Sequence, residues 1–199
     1  MLEICSKCGN HEWDKDVDGN TIKCPKCGYE WKFEKLPIYF LTGCSGVGKT
    51  TTAIELQKLT DEYVILDVDW LRNVAWPQND EEENNLIEQI FYLTKDISQS
   101  KKAVLWTMAG GLDRLSHAYG KRFFSEIKVL ALIAEPETLR KRMTEGRGID
   151  DAGWIQSSVD YNNYFRTHDI LDDTKYDTLD CTNGTPAEIA RKVLEWLRK

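Results

Sequence analysis

Apolar residues along this chain fall into short continuous runs separated by amphipathic stretches. Ile38-Tyr39-Phe40-Leu41 is one such run, and strands are predicted over 38–42, 63–67, 103–107, 128–133 and 177–181. Runs of this kind suit strands buried on both faces, as in a parallel sheet with helices on either side. Between them the spacing predicts helices. One begins near Thr51 and runs through Gln57. A second begins at Asp80, where Asp80 and Glu83 form a capping box and Leu86, Ile90, Leu93 and Ile97 make the apolar face. The last is capped by Thr185, with Pro186 in the first turn, Glu188 closing the box, and Ile189, Val193, Trp196 and Leu197 as its stripe. The alternation starts only after Glu34-Lys35-Leu36-Pro37. Residues 1–35 are short, polar and cysteine-rich, so two units are expected, 1–35 and 36–199.

The segment between the first strand and the first helix carries the most specific chemistry. Gly43-Cys44-Ser45-Gly46-Val47-Gly48-Lys49-Thr50 spells G-x-x-x-x-G-K-[ST]. Its glycines let successive backbone N–H groups turn inward around a polyphosphate, and the following helix adds positive potential at its N-terminus. Nucleotide triphosphate binding is therefore expected, with Lys49 reaching the β- and γ-phosphates of ATP and the Thr50 hydroxyl ligating Mg²⁺. Thr51 completes the loop-to-helix junction. Cys44 is read as facing the loop backbone and is given no chemistry.

In the N-terminal piece, Cys5-x2-Cys8 and Cys24-x2-Cys27 stand fifteen residues apart, a spacing suited to a four-thiolate Zn²⁺ site. Gly9 and Gly28 follow the two pairs and permit tight turns there. Thr21–Lys23 and Tyr29–Phe33 would supply short strands, and the whole resembles a zinc ribbon. So small a piece cannot bury enough apolar area to fold alone, and metal binding would supply the difference. Asp14-Lys15-Asp16-Val17-Asp18-Gly19 imitates the start of a calcium loop. Thr21 and Pro25 then occupy the positions that need an apolar residue and a bidentate glutamate, so a solvated turn is expected instead. His11 is a bystander.

The second strand ends in Asp67-Val68-Asp69-Trp70-Leu71-Arg72. On an extended chain alternate residues point the same way, so Asp67 and Asp69 would both face the ligand crevice at the carboxyl edge of the sheet. Asp67 would hold the water shell of Mg²⁺, and Asp69 would take the proton from an attacking hydroxyl. In the alternative, Asp67 alone serves the metal and Asp69 is merely solvated. Arg72 would orient an anionic part of the acceptor or the transferring phosphoryl group.

The phosphate loop followed by D-x-D-x-x-R resembles the small P-loop kinases, which include shikimate, gluconate, adenylylsulfate, nucleoside and nucleotide kinases. The resemblance covers about residues 36–199. It implies an α/β fold with a five-stranded parallel sheet of order 2-3-1-4-5. It also implies that Pro136–Arg142 through Gly146-Arg147-Gly148 forms the arginine-bearing helix and lid. Arg147 would then reach the γ-phosphate, and Arg142 would lie at the lid base near the nucleotide. Asp180–Pro186, with Asn183, is similar to the adenine-binding loop, and Gly110-Gly111 would let the backbone approach the acceptor.

Net charge bears on the partner. At −7 the chain carries no excess of basic residues, and residues 1–35 hold six lysines against seven acidic residues. A small-molecule acceptor, a nucleoside or nucleotide, is favoured, and the less favoured alternative is a nucleic-acid kinase acting on a 5′-hydroxyl or a hydroxylated base, with the ribbon as a nucleic-acid clamp. An ATPase or switch module with a protein-docking ribbon is a further alternative. No N-K-x-D guanine motif is present. No segment approaches the length of a membrane span, and Met1-Leu2-Glu3 begins no signal peptide, so a cytoplasmic protein is expected. His117 and His168 are read as isolated; Trp70, Trp76 and Trp106 could stack on a base or sugar or serve as core, and Trp106 is read as core.

Overall fold

The computed structural model describes residues 2–74 and 76–199. Three short strands come first: β1 (Asp16–Asp18), β2 (Thr21–Lys23) and β3 (Glu30–Lys32), antiparallel in that order. The stretch expected as a solvated turn is therefore partly strand, with its turn at Gly19 and Asn20. Next come β4 (Ile38–Thr42), α1 (Lys49–Leu59), β5 (Tyr63–Asp67), α2 (Val68–Val74) and α3 (Asp80–Ser98). They are followed by β6 (Ala103–Thr107), α4 (Leu112–Leu115), a 3₁₀ turn at Tyr119–Phe123 and β7 (Ile127–Ile133). The chain ends with α5 (Pro136–Lys141), a π-helical turn at Arg142–Gly146, α6 (Ala152–Thr167), the hairpin β8 (Ile170–Leu171) and β9 (Thr174–Lys175), β10 (Asp177–Asp180), and α7 (Pro186–Leu197).

The five main strands lie parallel in the order β10-β7-β4-β6-β5, which is the expected 2-3-1-4-5 arrangement read from the other edge. All five residues of β4 are buried, and they alternate between two cores. Ile38 and Phe40 join Val104, Trp106, Ile90 and Phe91 on the α3 side. Tyr39 and Leu41 join Leu105, Leu132, Leu56 and Val193 on the α1–α7 side. Period-two alternation into two apolar layers explains why the strands read as unbroken hydrophobic runs. Trp106 is core, as expected, and its indole N–H donates to Thr94 Oγ1 at 2.8 Å.

Helix α3 departs from expectation at its start. Asn79, not Asp80, is the cap: its side chain accepts from the Glu82 N–H at 3.0 Å, and Glu82 in turn accepts from Gln78 N. Both the cap and its partner shift back one residue, which frees Glu83 for another contact. Leu93 is exposed, because the buried face follows Ile87, Phe91 and Thr94 beside Leu86 and Ile90. The capping box of α7 is formed as expected by Thr185 and Glu188.

The cysteine-rich segment is packed onto the rest of the chain. Leu2, Ile22 and Phe33 belong to the same buried cluster as Phe91 and Phe123. Glu3 pairs with the buried Lys95, and Glu34 exchanges two hydrogen bonds with Gln99 at 3.0 and 3.2 Å. Trp13 meets Tyr92 and Tyr119 edge-on. No helix among the described residues is long and apolar enough to cross a membrane.

Candidate active site

The cleft sits at the carboxyl edge of the sheet, where β4, β5 and β6 all end. It encloses about 600 Å³ and is lined by the phosphate loop, Asp67, Asp69, Thr107, Met108, Arg142, Arg147, Cys181 and Gly184, among others. That volume is within the range of small-molecule sites.

Two glycines of the loop have reasons visible in the packing. Gly43 has φ +135°, and a Cβ there would lie 2.5 Å from the Leu132 carbonyl oxygen of β7. Gly46 has φ +78°, and a Cβ would lie 2.7 Å from Met143 Cγ. The loop can therefore pass close to the neighbouring strand and to the turn after α5 only without side chains. Gly48, also left-handed, precedes α1, and Thr51 Oγ1 donates back to its carbonyl at 2.9 Å. Lys49 Nζ donates to the Gly43 and Cys44 carbonyls at 2.8 and 3.0 Å. Burial lowers its pKa below the usual lysine value, and the carboxylates of Asp69 and Asp67 oppose that shift. Phosphate oxygens would relieve the same desolvation.

Thr50 Oγ1 and Asp67 Oδ2 stand 3.5 Å apart, so the two residues expected to share Mg²⁺ face each other across the cleft floor. Asp67 closes β5, but the chain does not stay extended beyond it. Residue 68 starts α2, and the Asp69 backbone N–H donates to Asp67 Oδ1 at 2.9 Å. Asp69 therefore reaches the cleft from the first turn of a helix, not from an alternating strand. Thr107 was not anticipated. It is paired in register with Asp67, lines the cleft, and its buried hydroxyl has no hydrogen-bond partner among the described residues.

Arg147 Nη1 donates to Ser45 Oγ at 2.9 Å, which brings the lid segment onto the phosphate loop. Arg142 donates instead to backbone carbonyls, Cys181 at 2.8 Å, Thr182 at 3.2 Å and Val47 at 3.3 Å. It ties the phosphate loop to the loop after β10. Asn162, also unanticipated, ties α6 to the end of β7: its amide exchanges hydrogen bonds with the Ala134 N–H and carbonyl at 2.9 and 2.8 Å. Cys44 is buried, and burial pushes its thiol up to about 12, in keeping with a residue given no chemistry.

The remaining expected residues lie outside the cleft lining. Asn183 is exposed, while its neighbours Cys181 and Gly184 face the cavity. Gly110 has open space around its Cα, and Gly111 is left-handed at the start of α4, which is a turn requirement. Arg72 is turned onto Glu83 of α3. His117 is not isolated: Asp172 lies 2.8 Å from its Nε2 on the exposed surface.

A second cluster lies in the N-terminal sheet. The sulfurs of Cys5, Cys8, Cys24 and Cys27 fall within 4.8 Å of one another, with Cys5–Cys27 and Cys8–Cys24 both at 3.7 Å. Tetrahedral zinc with bonds of about 2.3 Å sets its sulfurs about 3.8 Å apart, so the donor set fits. The two knuckles repeat one geometry. Gly9 and Gly28 both have φ +69°, and each donates to the carbonyl of the first cysteine of its pair at 2.9 Å.

Comparison with known proteins agrees with this geometry. A family model described as AAA domain matches residues 40–154, more than half of the chain. No curated protein sequence matches it. Among solved structures, an unliganded sugar kinase from Janibacter sp. HTCC2649 is similar with a TM-score of 0.60 at 19% identity, covering 82% of this chain and 95% of that one. A gluconokinase from Sinorhizobium meliloti 1021 gives 0.57 at 16%, covering 84% and 94%. A shikimate kinase from Acinetobacter baumannii in complex with shikimate gives 0.52 at 21%, covering 83% and 95%. At these identities the likeness is one of fold. Phosphate loop, strand order and family match together establish that the chain belongs to the AAA domain family and has the fold of the small P-loop kinases.

Proposed function

We propose that the protein is an ATP- and Mg²⁺-dependent phosphotransferase that moves the γ-phosphoryl group to a hydroxyl of a small molecule, a nucleoside or nucleotide. The observation that carries this reading is the convergence of Lys49, Thr50, Asp67, Asp69 and Arg147 on one cleft. Asp69 would take the hydroxyl proton as the new O–P bond forms and the bond to the ADP oxygen breaks. Lys49, already desolvated, would leave its carbonyl partners for the β- and γ-phosphates. Thr50 and Asp67 would hold Mg²⁺, which neutralises phosphate charge when bound, and Thr107, in register with Asp67 on the next strand, would supply a further hydroxyl beside them. Arg147 would meet the charge that grows on the transferring group, and its segment would exclude water from the cleft. We assign one Zn²⁺ to Cys5, Cys8, Cys24 and Cys27 as a structural ion.

Transfer from γ-labelled ATP, screened against nucleosides, small alcohols and 5′-hydroxyl oligonucleotides, identifies the acceptor. Asp69→Asn should then lower transfer by roughly 10²–10⁴ while nucleotide affinity changes little. Transfer that survives Asp69→Asn but not Asp67→Asn would mean that the metal carboxylate alone matters, as in an ATPase.

A further inference from the structure

The cations of the cleft are unevenly distributed. Lys49, Arg142 and Arg147 all belong to the donor half. Arg72 on α2 and Arg114 on α4 do not line the cleft, and each is already engaged. Arg114 binds Asp80 at 2.6 Å and Asn84 at 2.7 Å. Arg72 binds the carboxylate of Glu83, with only 14% and 17% of the two side chains exposed. The Arg72 guanidinium also lies 5.4 Å from the ring of Trp76.

This pair borders the cleft without lining it, behind Gly111 and Met108. A Cβ on Gly111 would stand 3.2 Å from Glu83 Oε1 and 3.4 Å from Cε of Met108, a residue that lines the cleft. Glu83 is free to act here because Asn79 and Glu82 do the capping. An acceptor carboxylate or phosphate reaching for Arg72 would have to displace Glu83 and leave it unpaired within the acidic first turn of α3. Trp76, beside the Arg72 guanidinium, is 62% exposed, and Trp70, on the same helix as Arg72, is 65% exposed.

We infer that the acceptor carries no anionic group where it meets α2: it is an uncharged hydroxyl compound with a flat ring, of the nucleoside kind, and Glu83 determines this by neutralising Arg72. The inference rests on the phosphotransferase reading for the word acceptor, but Glu83's effect on anion binding is measurable without catalysis.

The test uses the full chain with its donor site filled by a non-hydrolysable ATP analogue and Mg²⁺. Tryptophan fluorescence is titrated with two matched pairs, adenosine against AMP and glucose against gluconate. In the parent, the neutral member of at least one pair should bind tenfold or more tightly than its anionic partner. Glu83→Gln should gain tenfold or more for AMP or gluconate, salt-sensitive and abolished by adding Arg72→Gln. Glu83→Asp, which keeps the charge, should behave like the parent and serves if Glu83→Gln is unstable. Anionic members binding as well as neutral ones in the parent, with the binding lost in Arg72→Gln, would overturn the inference. If no probe binds the parent, the gain in Glu83→Gln decides alone, and no gain rejects the inference. Absence of transfer to any acceptor would instead count against the phosphotransferase reading.

Discussion

Gly46→Ala probes how the phosphate loop and the lid base are fitted together. The substitution has two separable costs. At φ +78° an alanine pays about 1–2 kcal/mol for the left-handed conformation. Its Cβ would also stand 2.7 Å from Met143 Cγ, and Met143 is fully buried against Leu139 and the loop, so overpacking adds about 1–3 kcal/mol. Together these give about 2–5 kcal/mol, or about 2–4 °C of melting temperature for each kcal/mol in a chain of this size. Denaturant titration of Gly46→Ala, Met143→Ala and the double variant separates the two. Met143→Ala should relieve the steric part, giving a favourable coupling of about 1–3 kcal/mol, and leave the backbone part. Saturating ATP adds a second readout. At a hundredfold excess over Kd the parent should gain about 2.7 kcal/mol, and the variant less if the cradle is bent. A Gly46→Ala protein within about 0.5 kcal/mol of the parent, the usual range of a surface change, would refute the argument. Strict additivity with Met143→Ala would refute its steric half.

Two further outcomes follow from the site. Purified, reduced protein should contain about one zinc per chain, and Cys24→Ser should lose that metal and lower the melting temperature; a stoichiometry near zero would remove the zinc assignment. Arg147→Ala should lower transfer by roughly 10²–10³ with ATP affinity changed only a few-fold, read by single-turnover kinetics, and an unchanged rate would return Arg147 to an ordinary surface charge.

What the sequence revealed, and what it hid, follows from the range of the interactions involved. The phosphate loop, the two cysteine knuckles and the α7 cap are legible because each packs its logic into a few consecutive residues, with glycines at the required positions. Buried parallel strands are legible for a related reason, since both faces demand apolar residues. Asp69 was placed correctly in the cleft by an argument that does not hold, because strand periodicity was extended past a boundary that only the Asp67–Asp69 hydrogen bond reveals. Glu83 and Asn162 were missed because their partners, Arg72 and Ala134, are distant in sequence and no local pattern marks them. A surplus acidic residue in a helix's first turn is ordinary, so Glu83 looked sufficiently explained by capping.

The two cores explain how one cleft can have two differently supported halves. Cys44, Val47, Leu139, Met143 and Cys181, which surround the donor side, belong to the layer of α1 and α7. Val68, Leu86, Met108 and Leu112, which back the acceptor side, belong to the other layer, and so do Leu2, Ile22 and Phe33 of the cysteine-rich segment. Helix α3 connects the two ends of that second layer. Its nineteen residues span about 28 Å at 1.5 Å per residue. Glu83 sits in its first turn against Arg72, while Tyr92, Lys95 and Gln99 grip Trp13, Glu3 and Glu34 near the other end. A close-packed layer has low compressibility and transmits strain along its length. The cysteine-rich segment is therefore not a pendant: it packs on α3, whose first turn holds Arg72 through Glu83, whereas Cys44 and Val47 of the phosphate loop pack in the other layer.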